Sequence, residues 1–91
     1  MKNAQIDFST IKSPNDFYDE IKKILNLPEY FSYNLDSLYD CLTDIFEPVS
    51  ISFSNCKEGN SSLGGYFNSI KQVFADAKDA GSRVESVWNE S

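Results

Sequence analysis

The chain has 91 residues, 41% of them apolar and 14% aromatic, which is one domain's worth and enough for a modest core. Fourteen acids against eight bases leave a net charge of −6, which argues against a general nucleic-acid binder and suits a basic protein partner. With no histidine, Ser-His and Cys-His nucleophilic arrangements and His-containing zinc sites are excluded.

Ala4, Ile6 and Phe8 alternate with polar residues and predict a strand over residues 3–8. Ser13-Pro14-Asn15-Asp16 has the form of a helix start: Ser13 to cap, Pro14 for the first turn, Asp16 for a capping box. Phe17, Ile21, Ile24 and Leu25 follow at helical spacing as its buried face, and Asn26 with Pro28 marks the stop. Glu29 to Tyr33 reads as a polar-aromatic loop with Phe31 turned inward, and Asn34 as the cap of a second helix over residues 35–46. After Pro48, the alternation of Val49, Ile51 and Phe53 with serines predicts a second strand.

Asn55 to Gly65 has the composition of the loosest part of the chain. From Tyr66, the residues Phe67, Ile70, Val73, Phe74 and Ala77 share a helical face that Gly81 ends, and residues 83–88 form a last strand before a short tail. Connections of this length are crossovers rather than hairpins, so the order predicts an α/β domain with a small parallel sheet. No repeat or linker divides the chain, and one domain over residues 1–91 is expected. The N-terminus lacks the apolar stretch of a signal peptide and no run reaches membrane-spanning length, so a soluble, cytoplasmic protein without a membrane partner is expected.

Charge is distributed unevenly. Between Lys23 and Lys57 there is no basic residue, and that stretch holds Glu29, Asp36, Asp40, Asp44 and Glu47. Asp36, Asp40 and Asp44 recur every four residues and stack on one helix face, while Leu35, Leu38, Leu42 and Ile45 occupy another. On pattern alone such a stripe reads first as an ordinary solvated face, and Asp36 would be favoured by the helix dipole without any partner. The aromatics Tyr30, Phe31, Tyr33 and Tyr39 around it shift the reading towards a contact surface, since aromatics beside fixed charges are the composition of binding hot spots.

The run Leu27-Pro28-Glu29-Tyr30-Phe31-Ser32-Tyr33-Asn34-Leu35-Asp36-Ser37-Leu38-Tyr39-Asp40-Cys41-Leu42-Thr43 resembles the signature of the barstar family. Val73-Phe74-Ala75-Asp76-Ala77-Lys78 resembles that family's last helix. The resemblance implies a three-stranded parallel sheet flanked by three to four helices, and a ribonuclease inhibitor whose second helix and preceding loop plug the nuclease active site. It implies that Asp40 enters the phosphate-binding site, that Asp36 pairs with nuclease bases one turn earlier, and that Tyr30 and Asp76 contact the enzyme. With Tyr33, Asn34, Tyr39 and Asp44 from the same loop and helix, these form the expected partner-binding set. Ser32 and Asp44 stand where the barstar pattern has glycine, and Tyr39 and Ile45 where it has tryptophan, which points to a different nuclease.

The expected partner is thus a basic ribonuclease toxin bound as a heterodimer, with no enzyme activity, metal or cofactor in this chain. The alternative is an acidic module that neutralises another basic partner, such as a DNase toxin or a nucleic-acid-binding domain. Gly64-Gly65 lacks the surroundings of a phosphate loop, and Asp36 with Asp40 lacks the cleft of a glycosidase pair. Cys41 and Cys56 are expected as free, packed thiols and Trp88 as core.

Overall fold

In the computed structural model, residues 2–90 are described. Strand β1 (Lys2–Asp7) runs into a 3-10 turn (Phe8–Thr10), followed by helices α1 (Pro14–Leu25) and α2 (Leu35–Asp44). Strand β2 (Val49–Ser54), helices α3 (Cys56–Leu63) and α4 (Gly65–Asp79), and strand β3 (Val84–Trp88) complete the chain. The strands form one parallel sheet in the order β1-β2-β3, with Ile6 opposite Phe53 and Phe53 opposite Trp88. The expected α/β class with a three-stranded parallel sheet is what the protein adopts.

The pleat sorts side chains by parity. Ile6, Val49, Ile51, Phe53 and Val84 are buried beneath the helices. Asn3, Gln5, Glu85 and Val87 fall on the opposite parity and are exposed, with Ser50 and Ser52 half-buried between them. Parallel sheets usually bury both faces; this sheet has one apolar face, as its Val-Ser-Ile-Ser-Phe-Ser strand dictates.

Local signals set most boundaries. Ser13 accepts from the Asp16 amide at 3.3 Å, and the Asp16 carboxylate accepts from the Lys12 amide at 3.0 Å, a reciprocal cap on α1. Asn26 ends α1 in the left-handed region, φ 53°, and the Leu27 amide closes onto the Lys22 carbonyl at 2.9 Å. On the inner face of α1, Phe17, Tyr18 and Ile21 are buried, whereas Ile24 and Leu25 are only half-buried at its open end. Helix α2 stops at Asp44, two residues before the sequence-based boundary: Ile45 is extended, φ −74° and ψ 122°, as the chain turns towards Pro48.

The segment expected to be loose, Asn55 to Gly65, is instead largely the helix α3, which corrects that expectation. Gly59 to Ser62 are poor helix formers, and eight residues would not hold a helix alone; tertiary contacts hold it. Asn55 takes the left-handed conformation, φ 55°, and its amide group donates to Asp7 Oδ1 at 2.7 Å. Cys56 and Gly59 are buried against the core, and the Cys56 amide donates to the Asn89 carbonyl at 3.0 Å. Gly64, at φ 60° and ψ −135°, joins α3 to α4 in a conformation open essentially to glycine alone.

One core gathers these elements. Phe8 stacks near Phe17 and Phe53, and Trp88 lies on Phe53 with ring centroids 4.0 Å apart. Trp88 is core on that face and half-buried overall. Both cysteines are buried, free thiols. No described helix is long and apolar enough to cross a membrane.

Candidate functional site

Helix α2 is held at both ends. Asn34 caps it by accepting from the Ser37 amide at 2.8 Å, while the Ser37 hydroxyl accepts from the Ser32 amide at 3.1 Å. These bonds also seat the loop at Ser32, which does not need the positive φ that a glycine there would allow. At the far end the buried Ser82 hydroxyl donates to the Leu42 carbonyl at 2.8 Å and accepts from the Val84 amide at 3.1 Å, tying α2 to the start of β3. Leu38, Cys41 and Leu42 anchor the inner face, with Leu35, Tyr39 and Ile45 packed against the core at its margin.

The outer face carries the acidic stripe. Asp36, Asp40 and Asp44 are all exposed, and helix geometry spreads them over about 12 Å. Among the described residues no basic side chain lies within 4.0 Å of any of them; the ion pairs join Lys22 to Glu29 and Lys78 to Glu85. Three like charges thus stand unneutralised on a rigid ladder, a repulsion of about 0.2–0.5 kcal/mol per adjacent pair in an isolated helix.

The structure distributes the other expected contact residues in three ways. Tyr30 is 81% exposed and shares a cleft of about 160 Å3 with Pro28, Cys41, Asp44 and Ile45, so it stands beside the stripe. Tyr33 is exposed but tethered: its hydroxyl donates to Asp19 Oδ1 at 2.5 Å and its ring packs on Tyr18 and Phe31. That hydrogen bond to a carboxylate raises the Tyr33 hydroxyl above the ordinary tyrosine range. Tyr39 is half-buried with its ring against the core, and Asn34 spends its side-chain oxygen on the cap. Asp76 is exposed on α4, the helix on which α2 packs, and accepts from Gln72 at 2.9 Å.

Ser37 and Ser82, which hold the stripe in place, were not anticipated. Ser37, three residues after the Asn34 cap, stands at a recognisable capping position; Ser82 has no local signal, because its partner lies forty residues away. Burial, reinforced by Asp44 and Asp40, pushes the Cys41 thiol up, which disfavours its thiolate form. Among the described residues no group of three or more Cys, Asp or Glu is placed to hold a metal ion.

The arrangement can present fixed negative charge to a basic surface with little ordering on binding. Comparison with known proteins agrees in kind. A Bacillus subtilis (strain 168) protein named "Putative ribonuclease inhibitor YrdF" is 30% identical over 80 residues, covering 87% of this chain and 88% of the relative. The family model described as Barstar (barnase inhibitor) matches residues 1–89. Proteins of that family are inhibitors rather than enzymes, and with its parallel sheet and four helices this chain belongs to the barstar family.

Proposed function

We propose that the protein inhibits a basic bacterial ribonuclease toxin, as an immunity protein, by laying α2 and the loop before it over the enzyme's active site. The observation that carries this reading is the stripe of Asp36, Asp40 and Asp44, unpaired and rigidly mounted in a stretch without a single base. A ribonuclease must hold an anionic backbone and stabilise added charge in its transition state, so its cleft is lined with cations. Carboxylates on a capped helix satisfy those cations as phosphates do. Asp40 is the central plug and Asp36 its neighbour one turn earlier. Tyr30 and Asp44 line one cleft beside them, Asp76 reaches the enzyme from α4, and Tyr33, Asn34 and Tyr39 shape the loop and helix behind. The heterodimer forms in the cytoplasm, where an incoming toxin meets its RNA.

The test mixes the purified protein with purified bacterial ribonucleases, barnase among them, and follows cleavage of a fluorogenic RNA. Stoichiometric inhibition that weakens as salt is raised is expected. If every ribonuclease cleaves at its full rate while a basic deoxyribonuclease run alongside is blocked, the substrate class assigned here is wrong.

A further inference from the structure

Phe46 is 87% exposed, more than any other large apolar side chain described, and it stands two residues beyond the end of α2. It lines a cleft of about 270 Å3 with Lys2, Leu25, Ile45, Glu47 and Val49. Leu25 and Ile45 also line the cleft beside Tyr30. The two clefts therefore adjoin through Leu25 and Ile45 as one groove, with the exposed Phe46 lining one part and the exposed Tyr30 the other. Glu47 lines the first cleft and Asp44 the second, and Asp44 also belongs to the acidic stripe. The ammonium of Lys2 is turned to the Ile24 carbonyl at 2.7 Å.

Single exposed apolar residues are ordinary. Here two exposed aromatics line adjoining clefts and both lie in a stretch with five acids and no base, Lys2 being the one base that lines either cleft. We propose that this groove is a second half of the partner-binding face: it takes an apolar side chain of the ribonuclease bordered by Lys or Arg, with Phe46 as the anchor. Asp44 and Glu47 select the basic border while Leu25, Ile45 and Phe46 take the apolar group, the pairing of apolar and charged contacts found at interface hot spots. The assignment rests on the inhibitor reading above and adds to it a determinant of which ribonuclease is bound.

Phe46→Ala, Phe46→Leu and Asp40→Ala are compared with the parent against whichever ribonuclease of the panel the parent inhibits most tightly, at low and high salt. Phe46→Ala is expected to weaken inhibition at least about tenfold at both salts, mainly through faster dissociation, with Phe46→Leu recovering most of the loss. Its far-ultraviolet dichroism should match the parent, because the side chain packs on little. If Phe46→Ala inhibits like the parent while Asp40→Ala does not, the groove assignment is refuted and the inhibitor reading stands. If the parent inhibits no ribonuclease, both fall together. If sedimentation shows a parent dimer that Phe46→Ala dissolves, the groove belongs to a second copy and the assignment is overturned.

Discussion

Gly59→Ala tests the packing that turns the Asn55–Gly65 segment into a helix. A methyl at Gly59 would lie 2.7 Å from Phe8 Cγ, 2.8 Å from Phe8 Cδ1 and 3.0 Å from Phe67 Cε1. Phe8 cannot slide away, because it is fully buried between the rings of Phe17, Phe53 and Trp88. Alanine improves the helix itself by about 0.8–1.0 kcal/mol, while overpacking a fixed core costs about 1–3 kcal/mol. With contacts this short the upper part of that range applies, for a net loss of about 1–2 kcal/mol and a fall in Tm of about 5–15 °C in a domain of this size. Gly65→Ala is the control: nothing lies within 4 Å of the added methyl, and it should be neutral or slightly stabilising. Urea unfolding followed by circular dichroism measures both. A Gly59→Ala midpoint equal to or above the parent's, with an unchanged slope, would refute the close approach of α3 to Phe8.

Asp40→Ala should weaken ribonuclease inhibition most, at least about thirtyfold, with Asp36→Ala second and neither changing Tm appreciably; inhibition constants beside melting curves check this. The barnase–barstar pair is itself a standard illustration of such hot spots, and the thirtyfold figure is only their general threshold. Ser82→Ala should destabilise by about 1–3 kcal/mol, because the Leu42 carbonyl and Val84 amide lose a buried partner; thermal unfolding measures it. Burial, and then the hydrogen bond to Tyr66, push the Tyr18 hydroxyl far above the ordinary tyrosine range. With the folded value above the unfolded one, the associated stability is whole below about pH 10 and is lost as pH rises beyond it. Urea midpoints should therefore fall in that alkaline range, and fall less steeply in Tyr18→Phe.

The strands and the helices α1, α2 and α4 were legible in the sequence because each advertises itself locally. Alternation marks the half-buried strands, and apolar residues at helical spacing mark the long helices. Ser13 and Asn34 cap with their own side chains, and Asn26 and Gly81 relax into the left-handed region that stops a helix. Helix α3 was hidden because its glycine and serines carry no helix preference. The faint signal was Cys56, Gly59 and Leu63, spaced along one face, whose meaning depends on Phe8 lying beneath Gly59.

The candidate site divides along the same line. Spacing alone determined that Asp36, Asp40 and Asp44 share a face and that no base accompanies them in sequence. Only the tertiary structure decided that no described basic side chain comes within 4.0 Å of them, that Ser82 holds the far end of their helix, and that the exposed Tyr33 is tethered to Asp19 while Tyr30 stands 81% exposed. It also decided that Leu25 and Ile45, twenty residues apart in sequence, line the same two clefts, one of them shared with Phe46. The reason is one of range: helix pitch and capping act within a few residues, whereas charge neutralisation, burial and grooves depend on which distant segments the core brings together.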